Sequence, residues 1–335
     1  MPRPIDEFVA VWDALSDSST EVGWCGIPVA GAGECELMAA RRFPGNEEAL
    51  LACFPTASPG MSDHLPEGKG FEVVRVDPFD DGKTWIALSR KESGSPELFA
   101  EMVGDVAGVM DAAAPEGDAS VLKAMLRRVR MWQHFMSRGK GLLSSEAELG
   151  LAGELFFMMR LLDAGVSCES VLGGWVGPDN APQDFLFGDG AIEVKATMSS
   201  SGFPVKIGSL EQLDDAVASP LFLAVVKFAT GDGGMRLPEM VAEVEQRIQE
   251  DPGALDLLRE RLLVAGYTEA HADRYSRRFD PNEWRVFCVS EGFPRLTSGV
   301  VPVGVMRTVY EIDLKHAGGF LCDFAAVLSQ LGATE

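Results

Sequence analysis

The stretch PQDFLFGDGAIEVK, residues Pro182 to Lys195, decides how this chain is read. Asp184, Phe185, Leu186 and Phe187 read as a short strand, Gly188-Asp189-Gly190 as a tight turn, and Ala191 to Thr197 as the returning strand. Glycine on both sides of Asp189 permits the positive φ that hairpin turns demand. Side chains alternate between the two faces of a strand, so Glu193 and Lys195 point one way while Ile192, Val194 and Ala196 point the other. The hairpin brings Asp184 back alongside them. Two carboxylates and an ammonium converging on one spot suit a hard divalent cation and a polarised water.

An Asp followed by Glu-x-Lys carries little information alone, and the chain contains a second copy. Asp63 is followed by Glu67-Gly68-Lys69, but Pro66 and two glycines there indicate a turn, not a strand. The copy at Asp184 has strand-turn-strand context. It also has flanking features: Gly153-Glu154-Leu155 upstream, and Ser209-Leu210-Glu211-Gln212-Leu213-Asp214 downstream. Together these resemble the PD-(D/E)XK nuclease superfamily, and within it the bacterial PD-(D/E)XK motif proteins, in which a GEL helix precedes the Asp and an S-x-x-Q-L-D run follows the Lys. The usual Pro-Asp pair is loosened here to Pro182-Gln183-Asp184.

The resemblance implies a metal-dependent nuclease acting on DNA in a bacterial restriction or phage-defence system. It implies Glu154, Asp184, Glu193 and Lys195 as catalytic residues. Asp184, Glu193 and the Val194 carbonyl would hold Mg²⁺ or Mn²⁺, with Glu154 completing the cluster directly or through water. By itself, Glu154 in the apolar run Leu155 to Met159 faces either solvent or the site; the Gly-Glu-Leu match favours the site. Gln212 resembles the family's Gln at this place. Protein partners from such a system and a homodimer are further associations the resemblance suggests. The competing reading is a non-catalytic subunit of nuclease fold that docks on protein partners.

The chain has 335 residues, 46% of them hydrophobic, enough for two domains or one elaborated domain. No window approaches the length of a membrane span, and the N-terminus lacks a signal-peptide layout, so a cytoplasmic protein without membrane association is expected. Six scattered cysteines without a Cys-x-x-Cys pair read as reduced packing residues. The four histidines have no partners at catalytic spacing.

A formal net charge of -22 opposes long-range attraction to a polyanion. Residues 123–140 are locally different, with six basic and no acidic side chains: Lys123, Arg127, Arg128, Arg130, Arg138 and Lys140. They form either a solvated helix face or a phosphate-contacting patch. Lys206 reads either as a further phosphate contact or as the cap of a strand edge.

Local patterns outline a mixed α/β chain. Residues 1–118 read as a mostly β N-terminal domain with a linking helix. The alternating runs Phe71–Val76 and Thr84–Leu88 form a hairpin, and Ser95-Pro96-Glu97 starts the helix. Residues 119–230 carry the order helix, three strands, helix, strand, which is the core order of the restriction-endonuclease-like fold that the resemblance implies, and so form the expected nuclease core. Ser145 with Glu148 is a capping box for the first core helix. Pro204–Ile207 is the third strand, and Ser209 caps a second helix over Leu210–Ala218. The apolar run Leu221–Phe228 is a strand covered on both faces. Residues 231–335 read as a largely helical α/β extension, with strands at Trp284–Val289 and Val305–Leu314.

Overall fold

A computed structural model describes residues 3–17, 22–60, 64–80, 82–137, 142–179, 181–229, 231 and 233–333. The chain divides into two compact units, Met1–Gly141 and Leu142–Glu335. The boundary expected near 118 thus falls at 141, and the helix beginning at Asp118 belongs to the first unit.

The first unit begins with α1 (Ile5–Leu15) and continues through β1 (Gly23–Ala32), β2 (Cys35–Phe43), β3 (Glu47–Cys53), β4 (Phe71–Val76) and β5 (Trp85–Arg90). These strands form one antiparallel sheet in the order β1-β2-β3-β5-β4. Two helices follow, α2 (Pro96–Ala113) and α3 (Asp118–Ser137). Ser95 caps α2 by accepting the Leu98 N–H at 3.2 Å, with proline at the first helical position.

The second unit opens with α4 (Ser145–Asp163) and α5 (Cys168–Gly174). Ser144, one residue before the expected cap, holds the N-terminus of α4 by accepting the Ala147 N–H. Glu148 is buried and pairs with Arg277 at 3.2 Å, so it is not available to close a capping box. The hairpin strands are β6 (Phe185–Phe187) and β7 (Gly190–Thr197), followed by β8 (Pro204–Ile207), β9 (Leu221–Ala229) and β10 (Met235–Arg236). Then come α6 (Leu237–Arg247), α7 (Pro252–Ala265), β11 (Arg278–Cys288), β12 (Tyr310–Asp313), β13 (Leu321–Cys322) and α8 (Phe324–Gln330).

The central sheet runs β10-β11-β9-β7-β6, with β13 also on β11. β7 and β9 are parallel, Glu193 opposite Leu223 and Lys195 opposite Val225, while β6 and β11 flank them antiparallel. One face of the sheet carries Ile192, Val194, Ala224 and Val226 into a core shared with α4 to α8. The other face buries Ala191, Leu223 and Val225 with Val205, Ile207, Ile312 and Leu314.

Three parts of the expected architecture differ. The third strand, β8, is not in the central sheet; it pairs with β12 in a separate two-stranded sheet. No helix forms over Leu210–Ala218, because side chains take the backbone groups a helix would use. Gln212 accepts the Gly208 N–H just before this run at 2.7 Å, and within it Asp214 accepts the Ala216 N–H at 3.1 Å. Gln183 and Arg295 donate to the Glu211 and Leu213 carbonyls, each at 2.8 Å. Nor is the C-terminal third a helical extension, since β11 lies along the whole of β9 in the central sheet. The architecture is therefore mixed α/β, with helices on one face of the main sheet. Among the described residues no helix is long and apolar enough to cross a membrane, and the six cysteines are free thiols.

Candidate active site

The hairpin sets the positions of Asp184, Glu193 and Lys195. Phe187 pairs with Gly190, which leaves Gly188-Asp189 as a two-residue turn. Only Gly188 uses positive φ, +56°, as a turn with glycine in its first central position requires. Gly190 is needed for space instead: a Cβ there would lie 2.5 Å from Leu331 and 2.9 Å from the Pro220 carbonyl.

Asp184 sits where β6 begins and is held from two sides. Its carbonyl accepts the N–H groups of Val176 and Gly177 at 2.8 and 3.1 Å. Its Oδ2 accepts the Val194 N–H at 2.8 Å, so Asp184 takes the place of a β6 partner where that short strand ends. Two residues along β7 alternate back to the other face. There Glu193 is fully buried, and the Lys195 ammonium lies 2.5 Å from its Oε1. Glu193 Oε2 has no hydrogen-bond partner, and Oε1 has only the ion contact with Lys195, not a hydrogen bond of ordinary geometry.

Glu154 reaches the same spot from α4. Gly153 lets the helix approach β7 closely: a Cβ at 153 would meet the Ala196 Cβ at 2.8 Å and Val226 Cγ1 at 3.5 Å. The next residue, Glu154, is then turned toward the end of β6, where its Oε2 accepts the Nε1–H of the fully buried Trp175 at 2.7 Å. Gly177 marks how close the acids come. A Cβ built there would lie 2.7 Å from Asp184 Oδ1 and 3.2 Å from Glu154 Oε2.

Loss of hydration is the largest influence on all three carboxyls, and repulsion from neighbouring acids adds to it at Glu154 and Glu193. Burial, then the Asp184 charge, pushes Glu154 up to about 8, against the Trp175 hydrogen bond and Lys195. Burial raises Asp184 against the pull of Lys195 and the Val194 N–H. Glu193 goes well above the usual carboxylate range, through burial first and Asp184 next. Burial works to lower Lys195, but the Glu193 and Asp184 charges together outweigh it and its pKa ends raised. The four side chains thus form one electrostatic unit: three acids competing for too little solvation, and one ammonium held protonated among them.

This donor set suits a hard divalent cation. A cation would satisfy the orphaned Glu193 oxygen and relieve the repulsion that raises the acids. Among the described residues no three His, Cys, Asp or Glu side chains are already gathered as a metal cage.

A family model described as "Putative PD-(D/E)XK family member" (DUF4420) matches residues 8–315. The chain belongs to this family. No curated protein and no solved structure matches it. Membership in a PD-(D/E)XK family supports a nuclease-type function.

The remaining residues singled out for this PD-(D/E)XK family member fare differently. Arg128 is buried against Asp105 at 3.5 Å in the first unit, where the packing of α3 on α2 uses it. Lys123, Arg127 and Arg130 are exposed on α3, while Arg138 and Lys140 lie outside the described residues. The Lys206 ammonium lies 2.5 Å from Glu146 on an exposed surface, and Gln212 closes its own loop. Of the second Asp-Glu-x-Lys copy, Asp63 lies outside the described residues, and Glu67 is exposed and pairs with Lys91 at 2.5 Å. Trp175 and Gly177 bear on the site but carry no signal in one sequence, since a lone tryptophan and a loop glycine each have commoner explanations.

Proposed function

We propose that the protein is a divalent-metal-dependent endonuclease that hydrolyses DNA phosphodiester bonds, in a bacterial restriction or phage-defence setting. The observation that carries this reading is the meeting of Glu154, Asp184, Glu193 and Lys195 at one partly shielded spot. Asp184 and Glu193 would hold Mg²⁺ or Mn²⁺, with Glu154 directly or through water. The Val194 carbonyl would join them, since N–H and C=O of a strand residue point to the same side and the N–H faces Asp184. Bound there, the ion would polarise the scissile phosphate and a water molecule.

The chain's own residues supply the rest. Lys195, with its pKa raised, keeps its proton at neutral pH. Beside a bound cation, which would offset the Glu193 and Asp184 charges, it would help deprotonate or orient the attacking water and steady negative charge building on the phosphoryl oxygens. The Val194 N–H fixes one Asp184 oxygen and leaves the other free, and the Trp175 indole fixes Glu154 in the same way. Gly177 leaves the space between the two acids clear.

The test is cleavage of supercoiled, linear duplex and single-stranded DNA by the purified full chain in Mg²⁺, in Mn²⁺ and with chelator. Lys195→Ala and Asp184→Ala should each lower metal-dependent cleavage by about 10²- to 10⁴-fold with circular dichroism unchanged. Undiminished cleavage by Lys195→Ala refutes the assignment. A second reading, a non-catalytic nuclease-fold subunit, is favoured by the net charge of -22. Calorimetric Mn²⁺ binding abolished by Asp184→Ala, with no DNA form cleaved by the wild type, would establish it instead.

A further inference from the structure

The glutamine that separates Pro182 from Asp184 and the run Ser209-Leu210-Glu211-Gln212-Leu213-Asp214 are distant in sequence and touch in the fold. Gln183 is 1% exposed, and its Nε2 donates to the Glu211 carbonyl at 2.8 Å. Burying an amide carries a desolvation penalty that one hydrogen bond only partly offsets, and an apolar side chain would fill the same space without it. A buried amide immediately before a candidate metal ligand therefore points to the position it fixes.

The polar side chains of the run fold it on itself. The Ser209 hydroxyl is hydrogen-bonded to the Glu211 carboxylate and, with the Glu211 N–H, holds it below its ordinary pKa. Gln212 Oε1 accepts the Gly208 N–H at 2.7 Å. Asp214 accepts the Ala216 N–H at 3.1 Å and the Ser298 hydroxyl at 3.3 Å. Arg295 donates to the Leu213 carbonyl at 2.8 Å. Leu210 and Leu213 are buried, Leu213 in a cluster with Ala191 and Leu223. Ala191, Glu193 and Lys195 share one face of β7, and Leu223 lies opposite Glu193. The loop is thus bonded from within and seated on the sheet face that bears the candidate site.

Gln183 ties this loop to the start of β6. Asp184, the next residue, is held on its far side by the Val176 and Gly177 N–H groups, which its carbonyl accepts, and by the Val194 N–H on Oδ2. The Gln183 side chain adds an anchor on the near side, where the exposed Pro182 has no N–H to offer. The carboxylate that would meet the cation is in this way braced from β7, from the chain after α5 and from the loop.

We propose that Gln183 and Gln212 are positioning residues for Asp184. Gln212 closes the loop so that the Glu211 carbonyl meets the Gln183 amide, and that bond sets the Asp184 carboxylate where a divalent cation would bind. The cation and the reaction rest on the nuclease reading above. Misplacing a reacting group by about 1 Å costs on the order of 10²-fold in rate, so a tether one residue from the acid bears on catalysis without touching metal or substrate. Its loss falls on metal affinity and kcat. A contact of Gln212 with nucleic acid would fall on KM instead.

The test is Mn²⁺ calorimetry and steady-state DNA cleavage with the full chain. Gln183→Met fills the same space without the donor; it should raise the Mn²⁺ Kd and lower kcat by about 10- to 100-fold each, with KM for DNA unchanged. Gln183→His, whose Nε2–H has a similar reach, should recover most of both. Gln212→Ala should give a smaller loss in the same two quantities, and the double variant Gln183→Met/Gln212→Ala should match Gln183→Met alone. In chelator, hydrogen exchange should quicken together in peptides covering residues 176–187 and 208–216 of each single variant. Gln183→Met with wild-type metal affinity and kcat, or with a lowered melting temperature and no other change, overturns the proposal and leaves the nuclease reading standing. Additive losses, or a raised KM confined to Gln212→Ala, overturn the part given to Gln212. Mn²⁺ binding by the wild type without cleavage of any DNA form overturns the nuclease reading, and the Mn²⁺ affinities then decide Gln183 by themselves. A wild type that neither binds Mn²⁺ nor cleaves DNA overturns both.

Discussion

Replacing Glu154 by glutamine tests the electrostatic account of the site without any assumption about substrate. In the folded, metal-free chain the Glu154 carboxyl holds its proton up to about pH 8, whereas in an unfolded chain a glutamate releases it near about pH 4.3. Between these values the unfolded state has lost a proton that the folded state keeps. Stability is therefore fully present below the unfolded pKa and falls as pH rises through the window to about 8. The slope is about 1.4 kcal/mol per pH unit for one proton, so the full window amounts to on the order of 5 kcal/mol. That figure is a ceiling, because Asp184 and Glu193 titrate with Glu154 as one system. Glutamine keeps an acceptor for the Trp175 N–H and removes the charge.

Hydrogen exchange read by mass spectrometry on peptides spanning β6 and β7 reports the opening free energy of the second unit alone. In chelator the wild type should lose protection from pH 5 to pH 8.5, after correction for intrinsic exchange. Glu154→Gln should show a shallower fall and exceed the wild type at pH 8 by about 2 kcal/mol or more. Saturating Mg²⁺ should stabilise the wild type most at the alkaline end, where the acids are ionised and bind a cation best. Parallel curves for wild type and variant across this range would refute the reasoning.

Gly177→Ala places a methyl 2.7 Å from Asp184 Oδ1 and 3.2 Å from Glu154 Oε2; it should weaken Mn²⁺ binding measured by calorimetry at least about tenfold while the far-ultraviolet spectrum stays native. Trp175→Phe removes the hydrogen bond that lowers the Glu154 pKa, so the acid limb of the pH–cleavage profile should move to higher pH, and an unmoved limb would exclude Glu154 from the titration that governs activity. Arg128→Ala removes the ion pair with Asp105, which keeps its 2.8 Å hydrogen bond from Trp132, and should destabilise the first unit by about 1–3 kcal/mol with DNA affinity unchanged; a selective loss of DNA affinity would return Arg128 to the binding surface. Gly153→Val should push α4 off β7, since even a Cβ meets Ala196 at 2.8 Å, and lower both the melting temperature and cleavage.

The features legible in the sequence were those set by local periodicity and by single backbone requirements. The period of two in Ile192-Glu193-Val194-Lys195 put Glu193 and Lys195 on one face, and Gly188 permitted the turn that returns Asp184 to them. Ser95 and Pro96 marked the start of α2 for similarly local reasons. The Gly-Glu-Leu match aimed Glu154 at the site, and the reason appears in the contact of Gly153 with Ala196.

What only the tertiary structure decided depended on partners distant in the chain. Leu210–Ala218 has helical spacing, yet Gln183, Arg295 and its own Asp214 capture backbone groups a helix needs. Val305–Val309 alternates like a strand, but β8 offers an edge only to Tyr310–Asp313, and the rest is left exposed. Arg128 looks like its basic neighbours in sequence and is buried only because α2 presents Asp105 to it. Trp175 and Gly177 become part of the site because the chain after α5 folds back onto Asp184. A strand or helix period is written in adjacent residues, whereas burial, pairing and a shifted pKa belong to whichever distant groups the fold brings within a few ångströms.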